Sequence, residues 1–233
     1  MTVSDFPRSP KLQKGALAVY PKHDAGTAPS RVIFFQYNPD SMKRTLADRA
    51  APPKKGNVGA AKEDILRVQG PPVETISLTI ELDATEQLEH PSDNTAVAQH
   101  GLHPALATLE MLMYPPALTA QKMEQLSKQG KAQISPLDLP LVIFVWGPSR
   151  VVPVDVTSFS ISEEAFDPRL NPIRAKVELA LRVLTYMELP ANSIGRDAFV
   201  AYQRNKETHV GQFTSTGDTS NVPNARQTAG AGT

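Results

Sequence analysis

Proline is the feature that most constrains what this chain can fold into. The sequence has 21 prolines among 233 residues, and adjacent pairs occur at 52–53, 71–72 and 115–116. Proline has no backbone N–H to donate and clashes with the preceding helical turn, so it interrupts helices and central strands alike. The spacing therefore leaves room for short elements only, which favours strands over long helices.

Strand patterns occupy most of the segments between the prolines. In Val73–Asp83 the residues Ile76, Leu78, Ile80 and Leu82 share one face and alternate with polar residues, which predicts a half-buried strand. The continuous apolar run Leu141–Trp146 predicts a strand that is buried on both faces. The other predicted strands are Gly15–Tyr20, Arg31–Tyr37, Met42–Ala47, Val151–Ser162, whose alternation changes phase and so predicts a bulge, and Ile173–Met187.

Two regions have helical patterns instead. Pro104 suits the first turn of a helix, and an apolar stripe follows at helical spacing: Leu102, Leu106, Leu109 and Met113. A second helix is expected over Ala117–Gln129, and a third over Ser193–Lys206. Strands with one apolar face, joined to a few short helices, predict an α+β fold that is mainly β, an antiparallel β-sandwich or barrel with flanking helices.

The sequence predicts one domain with an extension at its N-terminus and a tail at its C-terminus. Residues 1–14 form an N-terminal extension, and residues 15–206 form the β domain with a long loop at 48–72 and a helical insertion at 104–130. Residues 207–233 are rich in Thr, Ser, Asn and Gly. Such a segment buries too little apolar surface to offset an ordering cost of about 1–2 kcal/mol per residue, so we expect a disordered polar tail.

Charge and cysteine content exclude several classes of function. Lys+Arg and Asp+Glu are equal at 24 each, and this lack of a basic surplus argues against nucleic acid as a partner. The chain has no cysteine, which excludes disulfides and thiol chemistry and fits a reducing cytoplasm. The start of the chain does not resemble a signal peptide, and its longest apolar run is too short to insert in a membrane. We therefore expect a soluble cytoplasmic product.

Two clusters of titratable residues are candidates for catalytic or metal sites. His100 and His103 would share a helical face, but Gly101 and Pro104 favour ordinary histidines in a loop or at a helix start. An acidic cluster at Glu163, Glu164 and Asp167 has spacing compatible with acid–base work, and a solvated turn pairing with Arg169 or Arg174 is the simpler interpretation. Ser149 lacks the flanking glycines of a nucleophile elbow. The residues thus predict neither an enzyme nor a metal or cofactor site.

A group of basic residues surrounds the long loop. Its length without a structural pattern suggests a functional role, and its charge suits either nucleic acid or a protein partner. Because no aromatic residue lies between Tyr37 and Tyr114 to stack on bases, we predict a contact between subunits. Trp146, the single tryptophan, is expected to pack in the core. The predicted interface residues are Arg44, Arg49, Lys54, Lys55, Lys62 and Arg67.

Several phrases, taken in order, resemble a known family. They are Phe34–Asp40 (FFQYNPD), Leu78–Thr85 (LTIELDAT), Gly101–Leu106 with Leu109–Glu110, Pro140–Gly147 ending in FVWG, and Ser162–Asp167 followed by Leu170–Ala175. Each phrase alone is common, but the ordered set is similar to the tube-protein-like domain of contractile injection systems, which are particles built like phage tails. The resemblance covers roughly residues 15 to 190, and no LysM-like module follows Glu188.

The resemblance implies a structural subunit. Related domains form a ring, with six copies joined around a channel, and the spike–tube adaptor type connects the inner tube to the spike, hub and baseplate. The polar sides of Val73–Asp83 and Ile173–Met187 would then face the channel or a neighbour. An inner tube subunit and a module that recruits cargo or an effector remain the alternatives, and an enzyme using His100, His103 and the acidic cluster is a third.

Overall fold

Seven strands form one antiparallel sheet in the computed structural model, which describes residues 13–21, 26, 28–49, 70–114 and 139–214. In chain order the elements are β1 Ala16–Tyr20, β2 Arg31–Phe34, β3 Met42–Ala47, β4 Val73–Asp83, α1 Thr85–Glu89, α2 Thr95–His100, α3 His103–Glu110, β5 Leu141–Val145, β6 Val151–Phe166, β7 Pro172–Val183 and α4 Ile194–Gln212. The predicted α+β class with a mainly β architecture is confirmed.

The sheet has the strand order β2-β1-β5-β6-β7-β4-β3 and is open at both ends. No ladder joins its two edge strands β2 and β3 in the described residues, so the predicted barrel is wrong. The segment 35–41 links these edges directly along the chain. Closure of a barrel requires every strand to pair on both sides with a consistent stagger. Here β2 has four residues and β3 has six, while β6 has 16.

The long hairpin β6–β7 is the centre of the sheet. Its register shifts between Val156 and Ser158, where the change of phase predicted a bulge. The predicted end of β6 at Ser162 is wrong, because β6 runs on to Phe166, which pairs with Pro172. Two further shifts, on either side of Ala165, break the alternation that a strand pattern needs. The hairpin therefore projects further than its sequence indicates.

The apolar faces of the strands meet in one main core. Ile76, Ile80 and Val177 contribute to it from β4 and β7, together with Leu17 of β1 and Phe144 of β5. Strands β1 and β5 bury both faces, as predicted for Leu141–Trp146, because a second cluster of Ala18, Leu141, Ile143 and Leu189 packs on their other side. Trp146 stacks on Phe144 with ring centroids 6.1 Å apart, which confirms its expected packing role.

Helix α3 packs on this core, as predicted, through Leu106 and Leu109. The third inward residue is Leu112 rather than Met113. After Glu110 the chain tightens into turns with three-residue spacing, in which the Leu112 N–H donates to the Leu109 carbonyl at 3.1 Å. A spacing of three residues brings Leu112 back to the face of Leu109, and it leaves Met113 38% exposed.

Helix α4 begins at a well-defined cap. The Ser193 hydroxyl accepts from the Arg196 N–H at 3.2 Å, and the first half of the helix buries Phe199 and Tyr202. The helix continues to Gln212, beyond the end expected at Lys206, so the first residues of the predicted tail are helical. Like the other described helices, it is not long and apolar enough to cross a membrane.

Several predicted features lie outside the described residues. They are most of the N-terminal extension 1–14 and of the long loop 48–72, the second helix at 117–129, and the polar tail from 215 onward. Four of the predicted interface residues fall in the same ranges: Lys54, Lys55, Lys62 and Arg67.

Gly101 joins α2 to α3 where both meet the start of β7, and its conformation and surroundings leave no room for a side chain. Its φ is +56°, and an added Cβ would overlap the Pro172 carbonyl oxygen and lie 2.9 Å from Asn171 Cβ. Gly101→Ala should therefore lower the free energy of unfolding by about 2 kcal/mol or more, measured by urea denaturation. As a control, Gly211→Ala in α4 meets no atom within 4 Å and should stabilise by up to about 1 kcal/mol. Equal midpoints for the two variants would contradict this.

Candidate assembly surfaces

The outward face of β6, β7, β4 and β3 is a polar strip, defined by alternate residues of these strands. Cross-strand pairing brings Glu178 of β7 between Thr79 of β4 and Ser160 of β6. One step along, Ala180 lies between Ser77 and Ser158. Because the opposite face of the same strands carries the core, the strip forms one side of a thin wall. A polar wall backed by an apolar core is what the β4 and β7 patterns predicted.

The charges on the polar strip neutralise one another locally. Lys176 Nζ lies 2.9 Å from Glu164 Oε1, and the hydrogen bond and charge of Glu164 raise the pKa of Lys176. Arg174 lies 3.1 Å from Asp83, whose pKa is lowered first by hydrogen bonds from Thr85 and then by Arg174. Exposed ion pairs of this kind contribute little stability. Their consequence is a surface without a strong field of either sign.

The acidic cluster at Glu163, Glu164 and Asp167 matches the simpler interpretation of a solvated turn only in part. Asp167 lies 3.6 Å from Arg169 Nε, as expected, while Arg174 pairs with Asp83 and Glu164 with Lys176. Glu163 and Glu164 lie in strand β6 and not in a turn. His100 ends α2 and His103 begins α3, so the two histidines belong to different helices. Among residues of the described ranges, no group of three or more His, Cys, Asp or Glu side chains could hold a metal ion.

The two edges of the sheet are a further candidate surface. The outer backbone groups of β2 and β3 have no strand beside them in the described structure. On β2 the side chains of Val32 and Phe34 are 40% and 65% exposed, and on β3 that of Leu46 is 53% exposed. Free edges with exposed apolar residues invite pairing with a strand from another molecule. Both edges therefore suit contact between subunits.

Beside edge strand β3 lies a network around a buried carboxylate. Glu74 is 3% exposed and accepts from Arg44 Nε at 2.8 Å, from the Tyr202 hydroxyl at 2.9 Å and from Lys206 Nζ at 2.9 Å. Burial alone raises the pKa of Glu74, but the hydrogen bonds from Lys206, Tyr202 and Arg44 outweigh it and hold the pKa below 4.5. The network fastens α4 to β4 and to the edge of the sheet.

The six predicted interface residues are thus placed only in part. Arg44 is engaged in the Glu74 network, and Arg49 lies 3.5 Å from Glu188, which also pairs with Arg182. Both arginines remain 25–30% exposed, so a contact with a neighbour stays a prediction for them. The structure does not describe the other four.

Sequence reasoning missed the network although one signal pointed to it. Glu74 has the same parity as Ile76, Leu78 and Ile80, so an acidic residue stands on the core face of β4. A carboxylate at such a position needs partners. Those partners come from β3 and from α4, which lies more than 120 residues away along the chain. Local patterns do not reveal contacts at that distance.

One comparison with known proteins bears on these surfaces. The model of a family described as contractile injection system tube protein matches residues 11–188 of the chain. No curated protein matches the chain. The matched residues include all seven strands and the first three helices, while α4 lies beyond them.

Proposed function

The chain belongs to the contractile injection system tube protein family, and we propose that six copies of it form a ring that joins the inner tube to the spike-bearing hub of the baseplate. Membership of the family makes the chain a structural component of such a particle, which assembles with other particle proteins. The ring, its six-fold symmetry and its station at the spike end are the proposal. We place its assembly in the cytoplasm of the producing bacterium.

One observation carries the proposal: the polar strip borders a free edge of the sheet at β3. A strand of the next copy that pairs with this edge would continue the wall across the subunit boundary. Such a contact uses different surfaces on the two partners, and repeated contacts of this type close into a ring when the rotation allows it. The polar strip would then line the channel, while α3 and α4 pack on the opposite, apolar side of the sheet.

The balanced charges of the strip support this orientation. Lys176 and Arg174 are each paired with an acid of the same subunit, so six copies can stand around a narrow channel without mutual repulsion. We propose no catalytic role and no cofactor for this surface. The hydroxyl and ion-pair side chains are suited to a wall past which other components move, and not to the turnover of a substrate.

The decisive experiment is deletion of the gene in the producing strain, followed by electron microscopy of purified particles. We expect no particle in which the spike is joined to the tube, and we expect the parent gene supplied on a plasmid to restore complete particles. In restored particles, six copies should form one layer above the hub. Complete contractile particles in the deletion strain would contradict the structural role.

A second station within the particle follows from the description of the family itself. A tube protein that built the stacked layers of the inner tube would instead be present in many times six copies per particle. Quantitative mass spectrometry of restored particles, with the hub protein as the internal standard, separates one ring from a stack.

A further inference from the structure

The tip of the β6–β7 hairpin presents two apolar side chains to solvent. Phe166 is 49% exposed and Leu170 is 78% exposed. Leu170 has a φ of +64°, a left-handed conformation that is unfavourable for a non-glycine residue. A large apolar residue in such a conformation at an exposed tip contributes nothing to the core, and a contact with another molecule would account for it.

The tip is held rigidly in this shape. Asp167 Oδ1 accepts from the backbone N–H groups of Arg169 at 2.7 Å and Asn171 at 2.9 Å. From the side, Asn171 Nδ2 donates to the Gln99 carbonyl at 3.2 Å and Arg169 donates to the Ala98 carbonyl, both in α2. A surface that is fixed before contact loses little conformational entropy on binding. Residues 163–171 carry three acids and one base; Glu164 pairs with Lys176 and Asp167 with Arg169, which leaves Glu163 as the acid of the tip without an ion pair to another described residue.

A groove at the far end of the molecule has complementary properties. Its apolar side chains are Leu46 of β3 and Val210 and Phe213 at the end of α4, exposed by 53%, 75% and 79%. Arg44, Arg150 and Lys206 line it as well, and Arg44 and Lys206 share the buried Glu74 as their acidic partner. The groove is therefore apolar with a basic rim. Its α4 residues lie outside the part of the chain that the family model matches.

The tip and the groove cannot meet within one molecule. Arg150 immediately precedes β6 and Phe166 ends it, and a 16-residue strand spans about 50 Å at roughly 3.3 Å per residue. A contact between them must join two copies head to tail. Such a contact leaves one tip and one groove free in every pair, so it can continue from copy to copy.

We propose that the β6–β7 tip of one subunit docks in the groove between β3 and α4 of the next copy. Leu170 and Phe166 pack on Leu46, Val210 and Phe213, and Glu163 of the tip faces the basic rim. The proposal rests on the proposed structural role and adds to the edge contact at β3 a second pair of surfaces through which subunits of this chain meet.

Two substitutions in the full-length chain test the pairing. Leu170→Asp places a charge at the apolar tip, and Val210→Asp places one in the apolar groove. Both positions are exposed, so both variants should fold. Each alone should lower the apparent association constant, measured by analytical ultracentrifugation, about tenfold or more. Ala201→Asp is the matched control, because it lies nine residues, or two and a half turns, from Val210 on the opposite side of α4. The control should associate like the parent protein.

Mixing the two variants gives the sharper result. The Leu170→Asp chain keeps its groove and the Val210→Asp chain keeps its tip, so together they should regain one tip–groove contact and form a one-to-one complex that grows no further through these surfaces. Failure of the mixture to associate would overturn the pairing, as would variants that assemble like the parent or a parent that does not self-associate. None of these three outcomes affects the ring proposal, which is judged separately by the particles of the deletion strain.

Discussion

Leu78→Asp is expected to abolish folding of the chain. Leu78 is 5% exposed in the main core and lies opposite Leu179 of β7 and Met42 of β3. An aspartate there would bury a charge without a partner, which costs several kcal/mol and adds to the loss of the leucine's packing. This is comparable to the whole free energy of unfolding of a typical domain, about 5–15 kcal/mol. Circular dichroism and urea denaturation of the soluble fraction measure the loss.

Ser77→Asp is the matched control, because it places the same charge one residue away on the polar strip. There the carboxylate would lie opposite Lys43 of β3 and Ala180 of β7, in contact with water. We expect a change in the free energy of unfolding within about 0.5 kcal/mol. A folded Leu78→Asp variant with the midpoint of the parent, or equal damage from Ser77→Asp, would show that the two faces of β4 are wrongly assigned.

Elements with regular alternation were predictable from the sequence. Strand β4 was predicted with the bounds that the structure has, and β7 with the correct inward residues, because each strand has one face in the core and the other in water. Such strands carry their burial pattern in the order of their own side chains. The class of fold followed from these strands together with the short helices.

Features that depend on contacts between distant residues were not predictable in this way. The end of β6 was placed too early because its bulges interrupt the alternation, and pairing with β7 holds it as a strand. A sandwich or a closed barrel was expected from amphipathic strands, yet a strand pattern does not reveal which strands will lie at the edges. The open edges, which matter most for assembly, became visible only in the sheet order.

The candidate assembly surfaces divide along the same line. The polar strip could be predicted from the alternating sequences of β4 and β7 alone. The groove could not, since it combines β3, the β5–β6 turn and the last turn of α4, a helix that was expected to end earlier. The acidic cluster at Glu163, Glu164 and Asp167 was singled out for its charge, and its position at a projecting tip required the length of β6.

Removing both cations of the Glu74 network is the second large prediction. In the double variant Arg44→Met, Lys206→Met, the buried carboxylate keeps the Tyr202 hydroxyl and loses its two charged donors. Leaving a buried charge without its counter-charges typically costs 3–5 kcal/mol. Because both cations reach solvent in part, we expect a loss of about 3 kcal/mol in the free energy of unfolding at pH 7, measured by urea denaturation.

The control adds Glu74→Leu to the double variant and should recover most of that loss, since an apolar side chain needs no partner there.

The pH dependence of stability is a second test of the network. In the parent the pKa of Glu74 is lowered below its ordinary value, so its contribution to stability is present above the ordinary carboxyl pKa and is lost as the pH falls through the folded pKa. In the double variant burial favours the protonated carboxyl, so acid relieves the destabilisation and the difference between the two stabilities shrinks as the pH falls. If instead the double variant unfolds like the parent at every pH but assembles poorly, Arg44 acts mainly at the interface between subunits, as its position near the long loop predicted, and the network around Glu74 contributes little to the fold.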